Sequence, residues 1–583
     1  MESLKMARIY LNCPGISPQG SSIYTFWRIV FVIAALVIGL LFLLPITGMF
    51  KLSGARNIEE KEGLQYAIVI DCGSSGSRVY VYFWPQHSGN PSDLLSIQQL
   101  HDSSGKLVEK KVSPGLSSFE DNPDAASDHI KDLLLFAQQY IPSKKYSETF
   151  LYVMATAGMR MLPEKKQNAI LTDLRTDIKK DFNFIALENH FEVISGKQEG
   201  VFAWIAINYA LNRFSHTVSH DSSEHRKRKT VGMMDMGGGS VQIAYEVSGE
   251  ASEGIPPFSL SKFNLGCQDS DEEHAYKVYV TTFLGFGANS ALDRYKSMLV
   301  EKSVADGHSA GTESQPITDV CLPLGMTLKT TDDAGVGHVF SGGGDFTQCK
   351  AAVEPLINKT VPCSKAPCSV NGVYQPVIDP AMEFYGFSEF WYSMEDVFSM
   401  GGHYNYDTFN AKAKEFCGTN WDTLETWYKK DNYPKADDHR FRFQCFKSAW
   451  MVEMLHKGFS FPSSYNKLTS AQLVNGRDVG WTLGALIYKT RYLPLRNVER
   501  QKDLQQSQAL STWQRMAHLP DLQFLLFVCV LVVITAIVVY MKWLRCCPRK
   551  SDLQRVPSMS YFMTDPNQME QGIDYVKGQG FVL

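Results

Sequence analysis

Asp71-Cys72-Gly73-Ser74-Ser75-Gly76-Ser77-Arg78 stands between two apolar, β-branched runs, Tyr66-Ala-Ile-Val-Ile70 and Val79-Tyr-Val-Tyr-Phe83. Such runs read as buried strands. The octapeptide is then a hairpin tip whose glycines and hydroxyls offer N–H and O–H groups to an anion. Any Gly/Ser turn has that capacity by accident. Here the pattern recurs 164 residues later (235 − 71): Thr230-Val-Gly-Met-Met234 runs into Asp235-Met236-Gly237-Gly238-Gly239-Ser240-Val241-Gln242, and Ile243-Ala-Tyr-Glu246 follows. Two such units imply two similar lobes. If the hairpins face each other across a cleft, backbone approaches a polyphosphate from both sides. Asp71 and Asp235 are then placed for a hard, hydrated divalent cation, Mg2+ or Ca2+.

Two more segments lie between the hairpins. Phe150-Leu-Tyr-Val-Met154 reads as a strand ending in Ala155-Thr156-Ala157-Gly158-Met159-Arg160, which places the Thr156 hydroxyl at a strand end. Ile194-Ser195-Gly196-Lys197-Gln198-Glu199-Gly200 opens an apolar helical stretch from Val201 to Leu211. Glu199 at its start either complements the helix dipole, worth a few tenths to about 1 kcal/mol, or removes a proton from water as a general base.

The 583 residues include 57 Lys plus Arg and 61 Asp plus Glu, a net charge of −4, with 44% hydrophobic and 20% charged residues. This composition excludes a disordered chain and gives no footing for a nucleic-acid partner. Uncharged stretches, Ile29–Phe50 and Leu522–Met541, are each long enough to cross a hydrocarbon core of about 30 Å. Lys5, Arg8 and Arg28 precede the first; Lys542, Arg545, Arg549, Lys550 and Arg555 follow the second. The positive-inside rule therefore puts both termini in the cytoplasm and the segment from Lys51 to Asp521 on the lumenal or outer side. The first run reads as an uncleaved anchor, having no small-residue cleavage pattern. Of 12 cysteines, Cys72, Cys267, Cys321, Cys349, Cys363, Cys368, Cys417 and Cys445 fall in the outer segment, where oxidation permits pairing. Cys546 and Cys547 are palmitoylation candidates, and Asn358-Lys359-Thr360 is a glycosylation sequon.

Asp71–Arg78, Ala155–Arg160, Gly196–Trp204 and Asp235–Gln242, with Phe384-Tyr-Gly-Phe-Ser-Glu-Phe-Trp-Tyr392, resemble in order the five apyrase conserved regions of the ecto-nucleoside triphosphate diphosphohydrolase family. The chain is most similar to its doubly membrane-anchored Golgi or lysosomal members. The resemblance implies two actin-like, ribonuclease-H-like α/β lobes with the active site in the cleft between them, flanked by two transmembrane helices. It implies Glu199 as base for the attacking water, with Ser240 and Gln242 orienting that water. Asp71 and Asp235 would hold the metal through water. Ser74, Ser75, Gly76, Ser77, Thr156, Gly237, Gly238 and Gly239 would cradle phosphate, with Arg78 close by. Trp391, Tyr392 and Trp450 match base-stacking positions, and Gly480-Trp481-Thr-Leu-Gly484 a structural segment. The family's order pairs Cys267 with Cys321, Cys363 with Cys368 and Cys417 with Cys445, leaving Cys349 odd and Cys72 a small buried residue.

The expected organisation is a cytoplasmic N-terminus (1–28), a span (29–50), a linker (51–65), lobe I (66–214), an exposed loop (215–229), lobe II (230–475), a return to lobe I (476–495), a second linker (496–521), a second span (522–541) and a cytoplasmic tail (542–583). The expected activity is cation-dependent hydrolysis of nucleoside tri- and diphosphates, UDP among them, to monophosphate and inorganic phosphate in the secretory-pathway lumen. A Golgi or lysosomal/endosomal membrane is expected before the plasma membrane, with association between chains left open. Two other readings are an actin-fold phosphotransferase or chaperone-type ATPase, and a non-catalytic receptor or adhesion ectodomain that would tolerate loss of Glu199.

Overall fold

The computed structural model describes residues 63–88, 93–214, 228–266, 272–307, 311–332, 335–363, 365–493 and 520–546. Both glycine-rich segments are hairpin tips in the same register. Gln65–Cys72 runs antiparallel to Ser77–Trp84, with Asp71 opposite Arg78 and Cys72 opposite Ser77. Gly232–Met236 runs antiparallel to Ser240–Glu246, with Asp235 opposite Gln242 and Met236 opposite Val241. Each four-residue tip closes on one hydrogen bond, Gly73 N–H to the Gly76 carbonyl and Gly237 N–H to the Ser240 carbonyl, both 2.9 Å.

Each hairpin seeds a sheet. In the first, Gln65–Cys72 is flanked on its other edge by Phe150–Ala155 and then Phe191–Val193, both parallel, while Glu109–Val112 and Gln98–Gln99 pair with Ser77–Trp84. In the second, Gly232–Met236 is followed outward by the parallel Phe384–Ser388 and Leu468–Ser470, while Ala275–Leu284 lies beyond Ser240–Glu246. In both sheets the hairpin's first strand is flanked by two later strands running parallel to it, and its second strand is flanked by an antiparallel strand. That duplication of topology is the two-lobed α/β architecture expected from the repeat.

Period-two alternation decides what each face covers. Ile68, Ile70, Val79 and Val81 pack outward against Ile130, Leu133, Ile170 and Leu174 of the helices Ala126–Gln138 and Glu164–Asp181. Ala67, Val69 and Tyr82 face the opposite way, into a core that also holds Ala244, Val278 and Val280 of the second sheet. Two helices fill that shared core, and they are exchanged between the halves. Gly196–Ala210 packs on Ser240–Glu246 and Ala275–Leu284, strands of the second sheet, whereas Trp481–Thr490 reaches the first strand of the first sheet. The Tyr82 and Thr482 hydroxyls, 2.8 Å apart, fasten the second contact. The helix Gly196–Ala210, placed by its position in the chain within 66–214, thus lies on the other lobe's sheet. The two helices cross at Gly484, where a Cβ would sit 1.8 Å from the Phe202 carbonyl oxygen.

Among the described residues three disulfides are formed: Cys321–Cys349, Cys363–Cys368 and Cys417–Cys445. The expected Cys267–Cys321 pair is corrected. Cys349, on the helix Phe346–Val353, brings its Cα within 4.8 Å of that of Cys321, both residues being buried, so the cysteine expected to be odd takes the partner. Cys267 lies outside the described residues. Cys72 is free and buried. Asn358 is half-buried at φ 58°, its amide donating to Asn371 Oδ1 at 2.8 Å.

The chain divides into two compact units, Met1–Val498 and Glu499–Leu583. The first expected span, 29–50, and most of the loop 215–229 lie outside the described residues. The second expected span lies within the helix Pro520–Cys546, whose side chains are described over part of its length. Among the described residues no helix is long and apolar enough to cross a membrane.

Candidate active site

The hairpin tips meet at the mouth of a cleft of about 560 Å³. A Cβ on Gly238 would lie 2.9 Å from Ser74 Oγ, and one on Gly158 would lie 2.8 Å from Ser74 Cα, so these positions leave no room for a side chain. The second tip is aimed from behind: the N–H groups of Ala288 and Asn289, opening the helix Ala288–Ala305, donate to the carbonyls of Gly237 and Gly238 at 2.9 and 3.0 Å. Asp71, Ser74, Ser75, Gly76, Arg78, Thr156, Glu199, Asp235, Gly237, Gly238, Gly239, Ser240, Trp391 and Tyr392 all line it.

Glu199 stands at the start of its helix, behind a Ser195 capping box with Gln198. Gly196 and Gly200 let that helix press onto the second sheet: their Cβ atoms would fall 2.3 Å from Thr282 Oγ1 and 2.7 Å from Val280 Cγ2. The exchange of helices is therefore what carries Glu199 to the second hairpin. There Arg160 Nη1 donates to Glu199 Oε2 at 2.8 Å and to the Ile194 carbonyl at 3.1 Å, while Nη2 donates to Ser240 Oγ at 3.0 Å. The Gln242 amide donates to Glu199 Oε2 at 3.2 Å, Ser240 Oγ at 2.8 Å and Thr282 Oγ1 at 3.1 Å. Gln242 is 1% exposed and sits behind Glu199 and Ser240, so it orients those two groups.

Burial dominates the electrostatics. It pushes the Glu199 carboxyl up to about 7, with Arg160 opposing and Asp235 adding to the rise. It likewise raises Asp71 to about 7, helped by Glu199, and raises Asp235. Asp71 Oδ1 and Asp235 Oδ1 are both buried without a hydrogen-bond partner. Unpartnered carboxylate oxygens are costly to bury. Two of them on one polar cleft suit a hard divalent cation that keeps most of its water. Among the described residues no group of three or more His, Cys, Asp or Glu is gathered to hold a metal directly.

Two expectations are corrected. Trp450 is fully buried, its indole N–H donating to the Phe286 carbonyl at 3.0 Å, so it offers no open face to a base. Its helix, Gln444–Glu453, turns it into the outer core of the second lobe. Ser77, also 0% exposed, is the first residue of the hairpin's return strand rather than part of the cradle. Arg440 lies 3.8 Å from the centroid of the Tyr392 ring, covering one face.

Several residues in or behind the cleft were given no catalytic or binding role from sequence. Arg160 lies inside a quoted motif, but its partners are 34 to 80 residues away. Asp478 and Trp481 arrive from the far end of the chain. Lys447 and Glu389 form a buried ion pair at 2.9 Å on the cleft wall. Ser388, beside them, holds a positive φ of 54°, a strained geometry for a side-chain-bearing residue.

The chain matches the GDA1/CD39 (nucleoside phosphatase) family over residues 57–508. It is 46% identical over 504 residues to ectonucleoside triphosphate diphosphohydrolase 7 of Homo sapiens, covering 83% of this chain and 82% of that protein. It is 37% identical over 486 residues to nucleoside-diphosphatase mig-23 of Caenorhabditis elegans, covering 81% and 86%. Among solved structures, a nucleoside triphosphate hydrolase from Neospora caninum aligns with 77% of this chain and 99% of that one, at TM-score 0.48 and 14% identity.

Proposed function

This chain belongs to the GDA1/CD39 (nucleoside phosphatase) family, and from that premise we propose that it hydrolyses nucleoside tri- and diphosphates to the monophosphate by direct attack of water on the terminal phosphoryl group. The observation that carries the reading is the cluster of Glu199, Ser240, Gln242 and Arg160 beside two unpartnered carboxylate oxygens, under two facing glycine tips. Phosphoryl transfer passes through a transition state whose charge lies mostly on oxygen, so positioning and charge stabilisation supply most of the catalysis. Ser74, Ser75, Thr156 and the N–H groups of the two tips orient the phosphate chain, with Arg78 nearby. Asp71 and Asp235 would hold a divalent cation through water, which would supply positive charge to the phosphoryl oxygens. The Glu199 carboxylate, its Oε2 held by Arg160 and Gln242, takes the proton of the attacking water, and Ser240 Oγ fixes that water's second contact. Arg160 and Gln242 hold Glu199 and Ser240 in place.

The helix Pro520–Cys546, apolar and uncharged from Leu522 to Met541, is proposed as a membrane span, with Ile29–Phe50 as the other. The three disulfides favour an oxidising lumen for the body. A Golgi-like or lysosomal membrane fits this topology, where removal of UDP left by glycosyl transfer would yield UMP for exchange. Trp391 and the open side of Tyr392 are the proposed base platform.

Phosphate release from a panel of nucleotides by the full chain in detergent, with Ca2+, Mg2+ or EDTA, tests this. Cation-dependent release from several diphosphates is expected, with a fall of at least about 100-fold in kcat for Glu199→Gln, the scale of a lost general base. Equal turnover by variant and parent removes Glu199 from the mechanism.

A further inference from the structure

Asp71, Arg78 and Lys111 form one row across the first sheet, Asp71 pairing with Arg78 and Arg78 with Lys111. Directly opposed residues on neighbouring strands project to the same face, and all three line the cleft. With strands about 4.8 Å apart, the Cα of Lys111 lies about 10 Å from that of Asp71. The row thus begins at the acid assigned to the reacting end of the phosphate chain and finishes at a cation about 10 Å from it, roughly the reach of a neighbouring phosphate. The Lys111 stem lies over the first glycine tip, since a Cβ on Gly76 would fall 2.8 Å from Lys111 Cε.

The other cations of the cleft wall are engaged. Arg78 has Glu109 at 3.7 Å, Arg440 has Asp396 at 2.9 Å, and Lys447 has Glu389 at 2.9 Å. Among the described lysines and arginines of the cleft, Lys111 alone has no ion-pair partner. Partial withdrawal from water, then the charges of Arg78 and Arg440, push its ammonium below the ordinary lysine range, against weaker support from Asp437 and Asp71. Three cations converging with one uncompensated is an arrangement that an anionic ligand completes.

We infer that Lys111 is a specificity-determining ligand of the phosphate that is not transferred, the one that departs with the nucleoside. The inference rests on the nucleotide-hydrolase reading above. That phosphate carries one negative charge in the diphosphate and gains a second as the bridging oxygen departs on it, so Lys111 holds the substrate and holds the transition state and product more strongly, and its loss raises KM and Kd for the monophosphate and also lowers kcat.

The full chain in detergent is compared with Lys111→Met and Lys111→Arg, measuring UDP turnover and equilibrium binding of UMP. In Lys111→Met, KM for UDP and Kd for UMP are expected to rise about tenfold, the scale of one charge-assisted hydrogen bond. kcat falls as well, by less than about tenfold, because the charge on the departing phosphate grows in the transition state. Lys111→Arg retains parental UMP affinity, and inhibition by inorganic phosphate, which occupies the transferred group's place, is unchanged in both. Parental UMP affinity in Lys111→Met, or a loss confined to kcat, overturns the inference while leaving the hydrolase reading intact. A parent that neither hydrolyses nor binds any nucleotide overturns both.

Discussion

Arg160 shows how much of the site hangs on one side chain whose partners are remote in sequence. Its guanidinium joins the carbonyl of Ile194, the Glu199 carboxylate and the Ser240 hydroxyl, three groups brought from two lobes. Because its charge opposes the burial that raises Glu199, removing it should lift the Glu199 pKa further. The acid limb of kcat/KM is expected to move to higher pH in Arg160→Met, with kcat lowered about 10- to 100-fold through misplacement of the base. A profile superimposable on the parent's would show that Arg160 acts on folding alone. At this scale the sequence was only partly legible. Glu199 stood out only through the motif around it, since a carboxylate opening a helix has an ordinary structural reason in the helix dipole. Arg160, though inside a motif too, carried no local sign of its partners. Trp450 misled because aromatic identity says nothing about which way a helix turns it, and only tertiary packing put it against Phe286 and Phe446.

At the scale of elements, the hairpins were the legible part, since strand, turn and strand are encoded within about twenty residues and the tips need small residues wherever the two approach. The helix Gly196–Ala210 was readable as a helix but not as a member of the opposite sheet, because nothing local in its apolar faces distinguishes one sheet from another. Gly484 marks where that arrangement is tightest. Gly484→Ala places a methyl carbon against the Phe202 carbonyl, the Phe202 carbonyl carbon and the Ala206 amide, all backbone atoms that cannot swing aside. A loss of about 3 kcal/mol in unfolding free energy is expected, measured by denaturant titration. Because Glu199 sits on the partner helix, turnover should fall in the same variant. Parental stability would mean that the two helices part there without strain.

For the whole molecule, the acid cluster ties stability to pH. In the cation-free protein Asp71 and Glu199 titrate near 7, raised from 3.8 and 4.5. Between those limits the folded chain holds more protons than the unfolded one, so their contribution to stability is greatest below about pH 4 and is lost as pH rises through about 7. The expected outcome is that, in EDTA, the stability of the parent relative to Asp71→Asn declines from pH 5 to pH 7.5. Calorimetric Tm at several pH values checks this, and a difference of opposite slope sinks it. Divalent cation, favouring the ionised acids, should restore more stability at the upper end. The disulfide pairing was beyond sequence for a related reason: Cys321 and Cys349 become neighbours only when the second lobe has closed.

The traded helices carry a consequence for how this body came to be one piece. Each half wears a covering made by the other, so neither is an autonomous folding unit, and a scission in the connecting stretch would leave two fragments still interlocked. Two halves alike in their hairpins are in this way held together by more than the chain that joins them.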